Sequence, residues 1–347
     1  MPSIHRLPRL LCPVAAVLLA LPACGQDTSD PPHATDLTTA WAGPAYGEDP
    51  DFAATWFDGN AELAGYELTY PRYGVERTGT AVAITVTEHL NPETGIKTER
   101  PGDNSLPVVK LNLVEDFPTG VYDYSLMTSA FAAMRPVHGL PAGHTTKVSF
   151  SSQEWCGHVY QQALFRDSGI EVDSHSYFEG EGDRQQQQDH SADGFAEDAL
   201  FLWARGMAGP QLQPGQTLTV PLYRSMAVQR LWHIPSAWDT ATLQRSEGTE
   251  QVEVPAGQFE AIRYTAEVAM DATTRLYGGA PVPASTRTWT YLVEANPPHR
   301  VLRYSRSDGL DAQLIASDRM PYWSLNGPEG IEALERIGLQ PRPGRTP

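Results

Sequence analysis

Cysteine is nearly absent from the 347-residue chain, occurring only as Cys12, Cys24 and Cys156. A fold stapled by several disulfides is excluded, so stability has to come from an apolar core. Basic residues are few, 25 Lys plus Arg against 42 Asp plus Glu, and lysine occurs only as Lys97, Lys110 and Lys147. The resulting formal charge of −17 repels a phosphate backbone at long range, which excludes nucleic acid as a partner. No apolar run reaches the ~20 residues that a membrane-spanning helix needs. Catalytic signatures are missing as well. There is no Gly-x-Ser-x-Gly elbow, no Gly-Lys-Ser phosphate loop, no dinucleotide fingerprint and no paired Cys-x-x-Cys or His-x-x-x-His element. No cofactor and no metal is expected.

What is present is a folding sequence of β character. Hydrophobic residues make up 41%, enough to exclude general disorder, and 29 Gly plus 29 Pro interrupt helices often. Apolar residues alternate in Tyr66–Tyr70, Ala81–Thr87, Val108–Leu113, Val121–Phe131 and Thr145–Ser152, and again in Thr217–Leu222, Val228–Ile234, Val252–Phe259, Ala261–Met270, Thr286–Val293, Val301–Ser305 and Asp311–Ser317. Period 2 predicts strands joined as a meander. One internal helix is expected where Phe195, Ala199, Leu200, Leu202 and Trp203 share a face, with Asp193 as cap and Gly206 at the stop. A short helix is expected over 328–337. Residues 179–193 are almost devoid of apolar side chains and read as an exposed loop. The fold class is mainly β, with curved antiparallel half-barrel-like sheets and one or two covering helices. The regions are a leader (1–23), an acidic tether (24–60), an N-terminal β region (61–190), a helix plus C-terminal β region (191–327) and a terminal helix and tail (328–347).

Arg6 and Arg9 precede the apolar run Leu10–Leu21, which ends in Leu21-Pro22-Ala23-Cys24-Gly25. This resembles the export signal and lipobox of bacterial lipoproteins. The resemblance implies cleavage before Cys24, acylation of Cys24, and a body held at a membrane by its lipid, with Gly25 directing it to an outer membrane. Cys12 is then lost with the leader and Cys24 is occupied, which leaves Cys156 without an internal disulfide partner. Between Arg9 and Arg72 no Lys or Arg occurs while acidic residues accumulate, the composition of a solvated tether.

The segment Val252-Glu253-Val254-Pro255-Ala256-Gly257-Gln258-Phe259, with the strands that follow it to about residue 325, resembles an exported bacterial family of unknown function marked by a Val-Pro-Ala-Gly-x-Phe turn. That resemblance implies a curved antiparallel half-barrel related to lipoprotein-carrier folds. The first half, with Arg72-Tyr73-Gly74 and Gln153-Glu154-Trp155-Cys156-Gly157-His158, is similar to uncharacterised exported proteins and implies no activity.

The one cluster with chemical promise surrounds Cys156. A strand from Thr145 continued past Gln153 would project Glu154, Cys156 and His158 from one face. His158 would then lower the thiol pKa and Glu154 orient the ring, with His175 or His144 from adjoining strands as a better-placed base. The blander reading, preferred here, is a buried, inert Cys156, because free Cys is among the most buried residues. A metal site from Cys156, His158 and His175 or His144 lacks the usual ligand spacing. His138 and His144 read as exposed loop imidazoles. The acidic stretch 171–183 lacks a calcium-loop spacing. Trp203, Trp232, Trp238, Trp289 and Trp323 read as core rather than a ligand cleft. The functional expectation is a membrane-anchored envelope lipoprotein that binds an apolar or envelope-derived ligand without catalysis. The alternatives are a hydrolase or transferase using Cys156 and a structural partner of another envelope protein.

Overall fold

The computed structural model describes Trp41 and residues 50–191, 193–276 and 278–341. The leader and Cys24 lie outside the described residues. A short helix, α1 (Pro50–Trp56), comes first. It occupies residues expected to belong to the tether, and it is docked because Trp56 is buried, with the guanidinium groups of Arg205 and Arg319 lying 5.2 and 4.7 Å from its ring.

The first half is an antiparallel meander of eight strands, as the alternation predicts. They are β1 (Ala61–Arg72), β2 (Val75–Leu90), β3 (Leu106–Pro118), β4 (Asp123–Ala133), β5 (Thr145–Glu154), β6 (Gly157–Arg166), β7 (Gly169–Ser176) and β8 (Arg184–Gln188). The last lies within the stretch read as a loop. Its Gln-rich sequence suits an exposed edge strand, where polar side chains discourage pairing with other chains. The second half contributes β9 (Phe195–Ala196), β10 (Thr217–Tyr223), β11 (Trp238–Val254), β12 (Gly257–Met270), β15 (Ser285–Glu294), β16 (Val301–Arg306) and β17 (Asp311–Met320), while β13 (Thr273–Thr274) and β14 (Pro281–Val282) form a separate ribbon.

The two meanders join where β1 pairs with β17, giving one sheet of 15 strands in the order 8-7-6-5-4-3-2-1-17-16-15-12-11-10-9. Alternation sets which face is inside. In β11, Asp239, Ala241 and Leu243 are buried while Thr240, Thr242 and Gln244 are exposed. The Val254–Gly257 register leaves Pro255 and Ala256 as a two-residue turn, as the Val-Pro-Ala-Gly motif requires. The sheet curls until its distant strands meet. Tyr223 Oη donates to Gln188 Oε1 (3.0 Å), Trp238 Nε1 donates to the Asp189 carbonyl (2.9 Å), and the rings of Phe165 and Tyr223 meet edge to face. The short helix expected over Pro328–Ile337 is present as a 3-10 helix and packs Ile337 beside Ala61, Leu63 and Met320. Its close approach explains Gly65, where a Cβ would lie 2.1 Å from the Ile337 carbonyl oxygen.

Two expectations, one of a strand and one of a helix, are corrected. Val228–Ile234, read as a strand, is largely helix α3 (Met226–Trp232), because the Ser225 side chain accepts from the Ala227 amide and His233 ends it in a left-handed conformation. The helix expected from Asp193 starts later and is shorter. Phe195 and Ala196 pair in parallel with Leu222 and Tyr223, a 3-10 turn covers Glu197–Ala199, and α2 spans only Leu200–Ala204 before Gly206 (φ 76°) stops it. It does not lie over an open sheet face. Every residue of α2 is buried, which is how a helix without a polar side must sit.

This segment fills the inside of the curled sheet. Phe201 meets the rings of Tyr291 and Tyr304, and Trp203 packs on Tyr264 and donates to the Pro210 carbonyl. At its far end Arg205 forks onto Glu62 (2.7 and 3.0 Å), reaches Thr85 Oγ1 (3.2 Å) and donates to the Pro298 and His299 carbonyls. Truncation to Arg205→Ala would leave Glu62 buried without its counter-charge, a loss of about 3–5 kcal/mol in chemical denaturation. The paired replacement Arg205→Met with Glu62→Leu should recover most of it.

Candidate functional site

Up-and-down connectivity puts alternate reversals at the same end of the sheet. The β1/β2 turn at Tyr73-Gly74, the β3/β4 turn at 119–122, the β5/β6 turn at Trp155-Cys156 and the β7/β8 turn at 177–183 therefore form one rim. Each presents a large apolar side chain to solvent: Tyr73 is 58% exposed, Val121 77%, Trp155 75% and Tyr177 74%. That grouping separates the rim from the rest of the surface, since isolated exposed apolar residues are ordinary but clustered ones mark a contact region.

The expectation of a continuous strand through Cys156 is corrected here. Gly157, at φ 155°, lets the chain reverse, so Trp155 and Cys156 are the turn residues and Glu154 pairs with Gly157. Cys156 is exposed, contrary to the buried reading. Its amide donates to Glu154 Oε2 (2.8 Å), and the Glu154 carboxylate pushes the thiol pKa up, the opposite of what a nucleophile needs. His158 is exposed and stands opposite Gln153. His175 faces Tyr160 across the ladder and bonds Asp183 (2.9 Å). His144 precedes β5 while Cys156 follows it, and a ten-residue strand spans about 30 Å, so His144 sits at the opposite end. It is not a loop imidazole either. It is buried beside the Pro141 carbonyl, and burial pushes its pKa down to about 4. Among the described residues no imidazole hydrogen-bonds to the thiol. Among the described residues no group of three metal-ligating side chains forms.

Next to this turn an open recess of about 640 Å³ lies across the ends of β3, β4 and β5. Trp155 gives it exposed aromatic surface, the buried rings of Phe117 and Tyr124 lie in its wall, and Asp116, Asp123, Ser125, Gln153 and Glu154 line it with polar groups. Its volume is in the range of small-molecule sites. The wall is pre-organised by stacking: Tyr70, Phe117 and Tyr124 lie parallel with centroids 4.4 and 5.3 Å apart. Arg72 reinforces it by covering the rings of Tyr73 and Tyr124 (4.3 and 5.2 Å) while donating to the Leu231 carbonyl. Behind the recess, Arg230 lies buried between Glu154 and Glu181, over the ring of Phe178. Sequence reading singled out Glu154 and Trp155 but missed Asp116, Asp123 and Tyr124, which come together only through strand register.

The interior has far less room. A cavity of about 50 Å³ beneath the rim is bounded by Glu115, Asp198, Tyr291, Tyr304 and Arg306, space for water rather than a ligand. Its carboxyl groups differ in charge state. For Glu197, burial opposes ionisation, but the charge and fork of Arg287 (2.7 and 2.5 Å), with donors Trp289 Nε1 and the Ser225 amide, bring its pKa down to about 2. Asp198 is raised to about 6 by burial, with a further push from Glu197, although Ser225 Oγ and the Met226 amide donate to it. Burial raises Glu115 to about 7, and Tyr304 Oη donates a hydrogen bond to it (3.2 Å).

No protein-family model matches the chain, and no curated protein matches it. Among solved structures it is similar to the crystal structure of a beta-barrel-like protein of the domain of unknown function DUF1849 from Brucella abortus, at 11% identity. The likeness covers 75% of this chain and 98% of that chain, with a TM-score of 0.43.

The raised carboxyl groups set a pH dependence. Native Glu115 holds its proton more tightly than the unfolded chain does, so its stabilisation is complete below pH 4.5 and declines as pH rises to about 7. Asp198 acts in the same direction from pH 3.8 to about 6, whereas Glu197 stabilises above pH 4.5 and loses that effect as pH falls toward 2. Glu115→Gln, neutral at every pH, should match the wild type near pH 4 and exceed it by about 3 kcal/mol at pH 8, measured by urea unfolding at both values. An unchanged difference between the two pH values would remove Glu115 from this role.

Proposed function

We propose that this chain is a lipid-anchored envelope protein, acylated at Cys24 and probing its surroundings with the rim, and that it binds an envelope-derived ligand in the rim recess without catalysis. The observation that carries the reading is the location of space. Segment 195–210 is buried within the curled sheet, where the cavity it lines holds about 50 Å³, whereas a recess of about 640 Å³ lies open beside Trp155. An acyl chain carried within the sheet, as the lipoprotein-carrier resemblance implies, would have to displace the buried side chains of Phe201, Leu202 and Trp203. The non-catalytic reading is supported by Cys156, whose thiol pKa is raised by Glu154 and to which, among the described residues, no imidazole is hydrogen-bonded. The lipid anchor rests on the lipobox-like sequence around Cys24.

Hydrogen–deuterium exchange on the mature protein, with and without a detergent extract of the bacterial envelope, tests this. Added extract should slow exchange at 73–74, 119–122 and 153–157 and leave 195–210 unchanged. Protection of 195–210 without protection of the rim would place the ligand inside and refute the reading.

A further inference from the structure

We propose that the rim recess takes an uncharged glycan, with one sugar ring stacked on the open face of Trp155 and its hydroxyl groups held by Asp123, Ser125 and Gln153. This names the ligand class for the recess and so rests on the reading above. Four features of the recess lead to it, three by removing other classes of ligand.

The lining contains no Lys or Arg but includes three carboxyl residues, Asp116, Asp123 and Glu154, of which Glu154 is turned inward against Arg230. The guanidinium groups behind it are engaged, Arg72 with Leu231 and the tyrosines, Arg230 between Glu154 and Glu181. A phosphate or uronate would meet repulsion with no free cation to offset it. Apolar lining is supplied by aromatic rings and Pro118, with no Leu, Ile or Val, and the recess is open, so an acyl chain would stay largely in water. An organic cation wants several ring faces around it. Here Arg72 already lies over Tyr73 and Tyr124, and Arg230 over Phe178. Trp155, 75% exposed with Tyr122 tilted beside it at 6.5 Å, remains as a single platform rather than a cage.

A single flat platform ringed by hydroxyl, amide and carboxyl groups is complementary to a sugar ring. The C–H face of such a ring is apolar and its edge is a belt of donors and acceptors. Carboxylates suit that belt because they accept from hydroxyl groups without needing a counter-ion. Insertion of the rim into a bilayer is disfavoured by the same carboxylates, which would lose their water.

The test is isothermal titration of the full mature protein with the tetramers of glucose and of N-acetylglucosamine, alongside spermidine and phosphatidylethanolamine vesicles. At least one tetrasaccharide should bind at a single site with an affinity that is unchanged between 50 and 500 mM salt, roughly the range over which an ionic contact is screened out. Trp155→Ala should weaken it about tenfold or more, with Gln153→Ala weaker in effect and Cys156→Ser without effect. These are exposed positions, so unchanged circular dichroism is expected of each variant. Binding of neither tetrasaccharide, Trp155-dependent binding of spermidine or vesicles alone, or sugar binding that survives Trp155→Ala would each overturn the proposal. If neither tetrasaccharide binds while envelope extract still protects the rim, the ligand class is wrong and the recess stands as the site. If the extract also fails to protect it, both readings fall.

Discussion

The structure depends on burying one polypeptide segment inside the sheet that the rest of the chain builds. From Phe195 to Arg205 the segment is almost wholly removed from water, and its charged residues lie at its two ends. Arg205 is held at one end by Glu62 on β1, and Glu197 at the other by Arg287 on β15. Asp239 extends the second pairing to Arg224, so the charges buried there are matched by counter-charges. A bare ion pair buried in this way would stabilise little. Its effect is on specificity, because any other placement of the segment strands a charge in hydrocarbon. The curl of the sheet follows, since its two meanders close around a filler of fixed width.

The filled interior shifts function outward. A curved antiparallel sheet suggests a vessel, but here the vessel is occupied, and the apolar matter that a ligand would have met is Phe201, Leu202 and Trp203. An open recess, exposed aromatic rings and unburied acceptors instead gather at the rim where four alternate reversals coincide. The rim is rigid where it matters. The Tyr70–Phe117–Tyr124 stack and the Arg72 fork fix the wall, while Trp155 sits on a two-residue turn whose direction is set by Gly157.

Much of this fold was legible in the sequence because period 2 is a local property. Ala81 and Ala83, or Ala266 and Val268, announce an inward face without reference to any distant residue. Local patterns failed where a short apolar run carried both periods. Val228, Leu231 and Ile234 suit a strand by composition, and only the Ser225 cap and Pro235 mark the helix. The inner segment was recognisable as helical and as ending at Gly206, but its enclosure depends on partners 143 and 90 residues away, Glu62 and Arg287. Its missing polar face was the available signal. At the candidate site, Gly157 could have been read as a turn and was not. That error aligned Glu154, Cys156 and His158 on a face that does not exist. The recess itself was not legible, because Asp116, Tyr124 and Gln153 become neighbours through the register of β3, β4 and β5.

Native-state hydrogen exchange of the Leu200–Arg205 amides, followed across low urea concentrations, measures directly whether the segment is a permanent part of the interior. The account predicts that these amides exchange only through global unfolding, with the same free energy and denaturant slope as the core strands. Exchange through a denaturant-independent local opening, at a free energy well below the global value, would show that the segment leaves the sheet and that the interior can be vacated.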